Sequence, residues 1–295
     1  MAEPTADELT VTRTDHAERA EAAPGDSHPD HVQPRVALVT GAGRGIGAAT
    51  CRRLAAEGCH IVAVDICADD PALGYPLSTR AELDVVVADC AALGPAAVAV
   101  VADVRSADDL AGAVSTAVDR FGGLDIAVAA AGVLAGGQHG WNLSDAQWQV
   151  NIDVNLTGVW RTAVATIPAI LDRPEPRNGR FVAVASAAGL QGHPTIAAYV
   201  ASKHGVIGLV RSLAVELGRR GVTANAVCPG STDTGILAAS RDLYGLESVH
   251  QFDVHHPIGR ILVPDEIASG IAWLCAPEQS GVTGISLPID GGMTV

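Results

Sequence analysis

Few aromatics, few positive charges and no closely paired cysteines mark this 295-residue sequence, and each scarcity removes a class of protein. Phe, Trp and Tyr supply 3% of the residues, so the interior must come from small and aliphatic side chains. With 32 glycines, that balance suits helices packed tightly on a sheet. Nineteen Lys and Arg stand against 33 Asp and Glu, a net charge of −14, and no basic patch of the kind a nucleic-acid backbone needs is visible. The six cysteines (Cys51, Cys59, Cys67, Cys90, Cys228 and Cys275) form no CxxC pair. They read as reduced interior or pocket residues of a cytoplasmic protein rather than as a zinc or redox site. The amino terminus carries acids where a secretory signal needs a basic region and an apolar core. No apolar run is expected to reach the length of a membrane span.

What remains is rich in core-forming residues, 48% hydrophobic against 18% charged, and long enough for one large domain. Residues 1–33 stand apart. They are dominated by Ala, Asp, Glu, His and Pro, and residues 1–34 hold eight acids against two arginines, so −6 of the charge sits there. Such a segment cannot build a core and is expected to be a disordered acidic tail. Its His16, His28 and His31 are irregularly spaced and read as incidental, so no metal site is expected. Residues 34–295 read as a single domain without internal repeats.

That domain opens with an apolar strand over 36–39, then Thr40-Gly41-Ala42-Gly43-Arg44-Gly45-Ile46-Gly47, a helix to about residue 57, and a strand over 61–64 closed by Asp65 and Ile66. Glycines between a strand and a helix let the backbone turn tightly and approach a pyrophosphate at the helix start. Asp65, some twenty residues on, can accept both hydroxyls of an adenosine ribose and repels a 2′-phosphate. Arg44 could soften that preference for NAD, and a merely structural tight turn is the plainer reading of the glycines alone. A long connection with prolines, 67–80, suggests an added loop or lid. Strands are expected over 98–102 and 124–129, with Asp103 and Val104 near the adenine and the small run Ala130-Ala131-Gly132 close to the cofactor. A capped helix begins at Ser106, and another spans 145–154 and runs through Asn155 into a longer one. Asn155 reads equally as a satisfied core amide or as a residue holding the helix open for a water. After strand six, Cys228-Pro229-Gly230 opens a lid-like segment, 231–257, whose Leu237, Leu243, Tyr244, Leu246 and Phe252 suit an apolar substrate. Alternating strands and helices predict an α/β fold of Rossmann type, a doubly wound parallel sheet of seven strands with helices on both faces.

One more stretch draws these elements together. Ser186 follows a strand, Tyr199 comes thirteen residues later, and Lys203 lies one helical turn beyond it. Tyr and Lys at that spacing often mark only a helix face. A phenol with an ordinary pKa near 10 is a poor base at pH 7, but an ammonium beside it stabilises the phenolate, and a serine can hold the reacting oxygen.

With these motifs in hand, the chain resembles the short-chain dehydrogenase/reductase family, compact type, over residues 34–295. TGAGRGIG at 40–47 matches the family's glycine motif. AAAG at 129–132 stands where the family has NNAG, keeping the glycine without the asparagine side chains. The resemblance implies an Asn155, Ser186, Tyr199 and Lys203 tetrad. It also implies that Pro229, Gly230 and Thr234, with Thr232 between them, lie on the carboxamide and phosphate side of NAD. Tyr199 would take the hydroxyl proton of a secondary alcohol, with Ser186 orienting the oxygen. Lys203 would lower the tyrosine's pKa, contact the nicotinamide ribose and pass the proton to a water at Asn155. Three stretches, VDICADDPALGYPLSTRAELD (64–84), DVNLTGVWRT (153–162) and YVASKHGVIGLVRSLAVELG (199–218), resemble the mycofactocin-associated, carveol-dehydrogenase-like branch. That likeness implies a terpenoid-like alcohol or ketone substrate, retained NAD, mycofactocin as redox partner, and a homo-tetramer. A conventional NAD(P)-dependent relative acting on a sugar, a steroid or a 3-hydroxyacyl thioester is the alternative, and a non-catalytic nucleotide sensor a more remote one.

Overall fold

The computed structural model describes residues 34–295; the segment 1–33, expected to be a tail, lies outside the described residues. Seven strands form one sheet: β1 (Val36–Thr40), β2 (His60–Asp65), β3 (Ala97–Val101), β4 (Ile126–Ala129), β5 (Gly179–Val184), β6 (Val222–Pro229) and β7 (Ser286–Ile289). Among the described residues the α-helices are α1 (Gly45–Ala56), α2 (Arg80–Ala92), α3 (Ala107–Phe121), α4 (Asp145–Ile152), α5 (Gly158–Leu171), α6 (Ala197–Leu217), α7 (Gly235–Leu243) and α8 (Pro264–Cys275). Every strand pair is parallel, in the order β3-β2-β1-β4-β5-β6-β7. This is the doubly wound sheet the sequence suggests.

A parallel sheet covered on both faces needs apolar residues at successive positions rather than alternate ones. β1 meets that demand, with all five residues buried. Its side chains divide by parity. Val36 and Leu38 join α3, α5 and α6 in one core, whereas Ala37 and Val39 join α1, α2 and α8 in the other. The winding direction reverses at β1 and β4, so the loops leaving their carboxyl ends diverge and open a crevice.

Several boundaries differ from expectation. β6 runs on to Pro229 because β7 pairs with its last four residues, from Ala226↔Ser286 to Pro229↔Ile289. The helix expected to run unbroken through Asn155 is interrupted by a π-helical turn, Asp153–Thr157, between α4 and α5. The stretch Asp145–Leu171 is also long and apolar enough to cross a membrane by length and composition, contrary to the sequence expectation. Here it is a core element: α5 packs on β4, β5 and α3, and Asn151, Asn155, Thr162 and Thr166 are buried within protein.

Candidate active site

The crevice is a cavity of about 810 Å³ that runs from the glycine turn after β1 to the segment 231–257. Gly41 has φ +67°, and a Cβ there would stand 2.7 Å from the Ala131 Cα. At Gly47 a Cβ would collide with the Gly41 carbonyl. Glycine therefore lets the turn close against the β4 loop and α1 approach it. Thr40 completes the junction, its Oγ1 accepting the N–H groups of Ala130 at 3.2 Å and Ala131 at 3.3 Å. α1 begins without a side-chain cap and without an acid in its first turn, leaving N–H groups directed at the cavity for an anion.

Asp65 ends β2 at the other side of this turn and is buried. Its carboxylate accepts the Gly43 N–H at 2.8 Å, the Cys67 N–H at 3.3 Å and the Ser78 hydroxyl. Ser78 belongs to the long connection before α2, and other residues of that loop also bridge the cavity. Arg44 donates to the Pro76 carbonyl at 2.7 Å, and Arg105 pairs with Asp70 at 2.6 Å and with Asp103 at 2.8 Å. The Tyr75 hydroxyl accepts the Leu134 N–H at 2.8 Å, and burial pushes the phenol up to about 12.

Ser186 follows β5, and its hydroxyl accepts the Ala188 N–H at 3.1 Å. Tyr199 sits in the first turn of α6 and Lys203 one turn on, with the ammonium 5.6 Å from the ring centroid. Burial raises the Tyr199 pKa, and the Ser186 side chain opposes that shift. Lys203 is 3% exposed and donates to the Val184 carbonyl at 2.9 Å; burial lowers its pKa to about 8. The lowering of the tyrosine expected from Lys203 is not seen here, because desolvation dominates the phenol.

Asn155 lies beneath the cavity rather than in its wall. Its amide accepts the Val133 N–H at 2.8 Å and donates to the Val133 carbonyl at 2.9 Å and to Ser202 at 3.3 Å. Asn151 repeats the pairing one turn earlier, donating to the Ala135 carbonyl at 2.9 Å, and Gln147 donates to Gly136 at 3.1 Å. Three side-chain amides thus stand in for a neighbouring strand beside 133–136. The Asn155 side chain is a satisfied amide, and the π-helical turn that carries it interrupts the helical ladder at the same place.

Gly41, Arg44, Gly45, Ile46, Gly47, Asp65, Ile66, Asp103, Val104, Ala130, Ala131, Gly132, Pro229, Gly230, Thr232 and Thr234 line the same cavity as Ser186, Tyr199 and Lys203. Gly43 stands back from it, holding Asp65. The sequence reading missed Ser78, Asn151 and His256. Buried His256 meets the Phe252 carbonyl through Nδ1 at 3.1 Å, so Nδ1 carries the proton and Nε2 accepts the Ser231 N–H at 3.1 Å. It ties the loop after β6 to the 3₁₀ turn Val249–His255, and a lone His-Pro dipeptide gives no sequence signal of that role.

Comparison with known proteins places this arrangement. The family model described as enoyl-(acyl carrier protein) reductase matches residues 41–294. An NAD-dependent oxidoreductase of Mycobacterium tuberculosis is 40% identical over 265 residues, 88% of this chain and 95% of that protein. The (−)-trans-carveol dehydrogenase of Rhodococcus erythropolis is 35% identical over 279 residues, 90% of this chain and 99% of that one. The crystal structure of carveol dehydrogenase from Mycobacterium avium in complex with NAD superposes with a TM-score of 0.84 at 36% identity, covering 89% of this chain and 98% of that chain.

Proposed function

The chain belongs to the short-chain dehydrogenase/reductase family, and on that footing we propose that it oxidises a secondary alcohol to a ketone with NAD and reduces the carbonyl in reverse. The observation that carries this reading is the placing of Ser186, Tyr199 and Lys203 in one cavity with the glycine turn and Asp65.

The residues fit NAD. The turn at Gly41 and Gly47 has no room for side chains, the start of α1 has free N–H groups for the pyrophosphate, and Asp65 offers a buried carboxylate for ribose hydroxyls while disfavouring a 2′-phosphate. Pro229, Gly230, Thr232 and Thr234 would hold the nicotinamide side. NAD, when bound, supplies the two-electron acceptor. Ser186 holds the alcohol oxygen, and Tyr199 removes its proton as the carbonyl forms. Against the burial that raises the Tyr199 phenol, the Lys203 ammonium 5.6 Å from its ring supplies the positive charge that favours the phenolate, and a water at the interrupted helix beside Asn155 takes the proton on. The apolar wall of Ile196, Leu237, Leu246, Phe252 and Met293 excludes water and suits a terpenoid-like skeleton.

The loop between β2 and α2 is tied down at Asp65, Arg44, Arg105 and Leu134, which favours retention of NAD over free exchange. That supports a mycofactocin-coupled turnover in which reducing equivalents leave without the nucleotide. Exposed Trp148, Trp160 and Val164 on α4 and α5 support a homo-tetramer, and the free cysteines of the described residues support a cytoplasmic setting. Native mass spectrometry of freshly purified protein tests this reading, with co-purified NAD on a tetramer as the expected result. A chain that emerges without nucleotide, or that fails to oxidise any apolar secondary alcohol, contradicts it.

A further inference from the structure

The wall opposite the adenine end is not uniformly apolar. Gln191 and His193, on the loop between β5 and α6, line the cavity together with His255 from the 3₁₀ turn Val249–His255. Asp65, Asp70 and Asp103 all lie at the adenine end, and among the described residues no carboxylate lines the substrate end. Two histidines line this end of the cavity and form a donor-bearing corner with no carboxylate beside them in the cavity wall of the described residues.

The corner is held in place. Thr195 adopts φ +62°, a left-handed conformation that a β-branched residue reaches only when its surroundings impose it. Its carbonyl accepts the Gly137 N–H at 2.9 Å. The preceding Pro194 carbonyl accepts the Tyr244 hydroxyl at 2.8 Å, joining the loop to the end of α7. His193 is therefore anchored from both the β4 loop and the segment 231–257. The ring nitrogen Nε2 of His193 and the side-chain nitrogen of Gln191 are 3.5 Å apart, at the outer limit of a hydrogen bond. An amide nitrogen only donates, so in this contact the ring Nε2 accepts, which leaves the Nδ1 proton of His193 and the second amide hydrogen of Gln191 for a third partner.

We propose that His193 and Gln191 form a second recognition point that binds an uncharged oxygen of the substrate, remote from the carbinol that reacts at Tyr199. The substrate class is thereby narrowed from apolar secondary alcohols to those bearing a further carbonyl, ether or hydroxyl oxygen on the same skeleton. This rests on the dehydrogenase reading and specifies its substrate. Burial, and to a lesser degree His255, holds His193 below the ordinary imidazole range. The ring is then neutral at pH 7, so the matching group is a neutral acceptor rather than a carboxylate. A half-buried donor that loses its partner favours the oxygen-bearing substrate over an analogue lacking the acceptor.

The test compares two ketones of nearly one shape, 4-acetylcyclohexanone and 4-isopropylcyclohexanone, titrated calorimetrically into the NAD-saturated full chain. The quantity read is the ratio of their affinities in wild type, His193→Phe and Gln191→Leu. The expected result is that His193→Phe shifts the ratio against the acetyl compound by roughly three- to tenfold, while the isopropyl compound binds as before. Gln191→Leu is expected to shift it in the same direction, and it keeps the test open if His193→Phe does not fold. An unchanged ratio in the folded variants, or no binding of either ketone, overturns the proposal. Reduction of the ketones with NADH is measured in parallel. Turnover with an unchanged ratio overturns the recognition point alone, and selective binding without turnover overturns the dehydrogenase reading alone.

Discussion

The phenol oxygen of Tyr75 accepts the N–H of Leu134 at 2.8 Å, joining the loop before α2 to the loop after β4, 59 residues apart in sequence. Leu134 lies between the backbone groups that Asn151 and Asn155 hold, so the loop before α2 is tied to a rigid floor. Tyr75→Phe removes the oxygen and keeps the ring. NAD release, followed by stopped-flow fluorescence, is expected to quicken roughly two- to tenfold, the worth of one hydrogen bond. An unchanged release rate would show that this contact does not help to close the loop.

Asp65 sets the second expectation. Its carboxylate is buried and already organised by Gly43 and Ser78, so a 2′-phosphate would meet a negative charge that cannot turn away. NAD should bind more tightly than NADP by roughly 2–4 kcal/mol in parallel titrations. Equal affinities would show that Arg44 outweighs Asp65.

Lys203 makes a prediction about pH. Its pKa of about 8 in the folded chain lies below the ordinary 10.5. The unfolded chain therefore holds the proton between these values while the folded chain has lost it. The penalty of burying the charge is fully present below pH 8 and is relieved as pH rises towards 10.5. Lys203→Met abolishes that dependence. Its stability relative to wild type, from urea unfolding of the protein stripped of nucleotide, should fall by about 3 kcal/mol across that window. A difference independent of pH would mean that the buried lysine titrates normally.

Asn151→Leu tests the row of amides. The change leaves the Ala135 N–H and C=O, both held by Asn151, without partners in a buried site. Unfolding free energy should drop by roughly 2–4 kcal/mol. A loss below about 0.5 kcal/mol would show that water replaces the amide at no cost.

The sheet and its winding could be read from sequence because buried parallel strands leave a strong mark: VALVT at β1 and VTANAVCP at β6 are nearly continuous apolar runs between helical patterns. The glycine turn was legible for a related reason, since Gly41 and Gly47 occupy positions where a Cβ has no room. The contacts that shape the cavity left weaker marks. Ser78 reaches Asp65 across thirteen residues, and His256 reaches Ser231 across twenty-five; neither distance follows a helical or strand period. Asn151 falls at helical spacing from Asn155, but its backbone partners lie on another segment, and the π-helical turn between α4 and α5 is invisible to a search for 3.6-residue periodicity. The length of the apolar stretch Asp145–Leu171 was underrated for a different reason, because α4 and α5 are joined through the π-helical turn into one run whose apolar side chains lie partly in the core and partly on the exposed face.

Tyr199 carries the central claim, and one variant tests it. Tyr199→Phe deletes the hydroxyl while the ring and the helix face remain, so the fold and NAD affinity should survive. Single-turnover hydride transfer from a secondary alcohol to preloaded NAD should slow by roughly 10²–10⁴-fold, the usual cost of a missing general base. A folded Tyr199→Phe protein that binds NAD and transfers hydride at near wild-type rate would contradict the account.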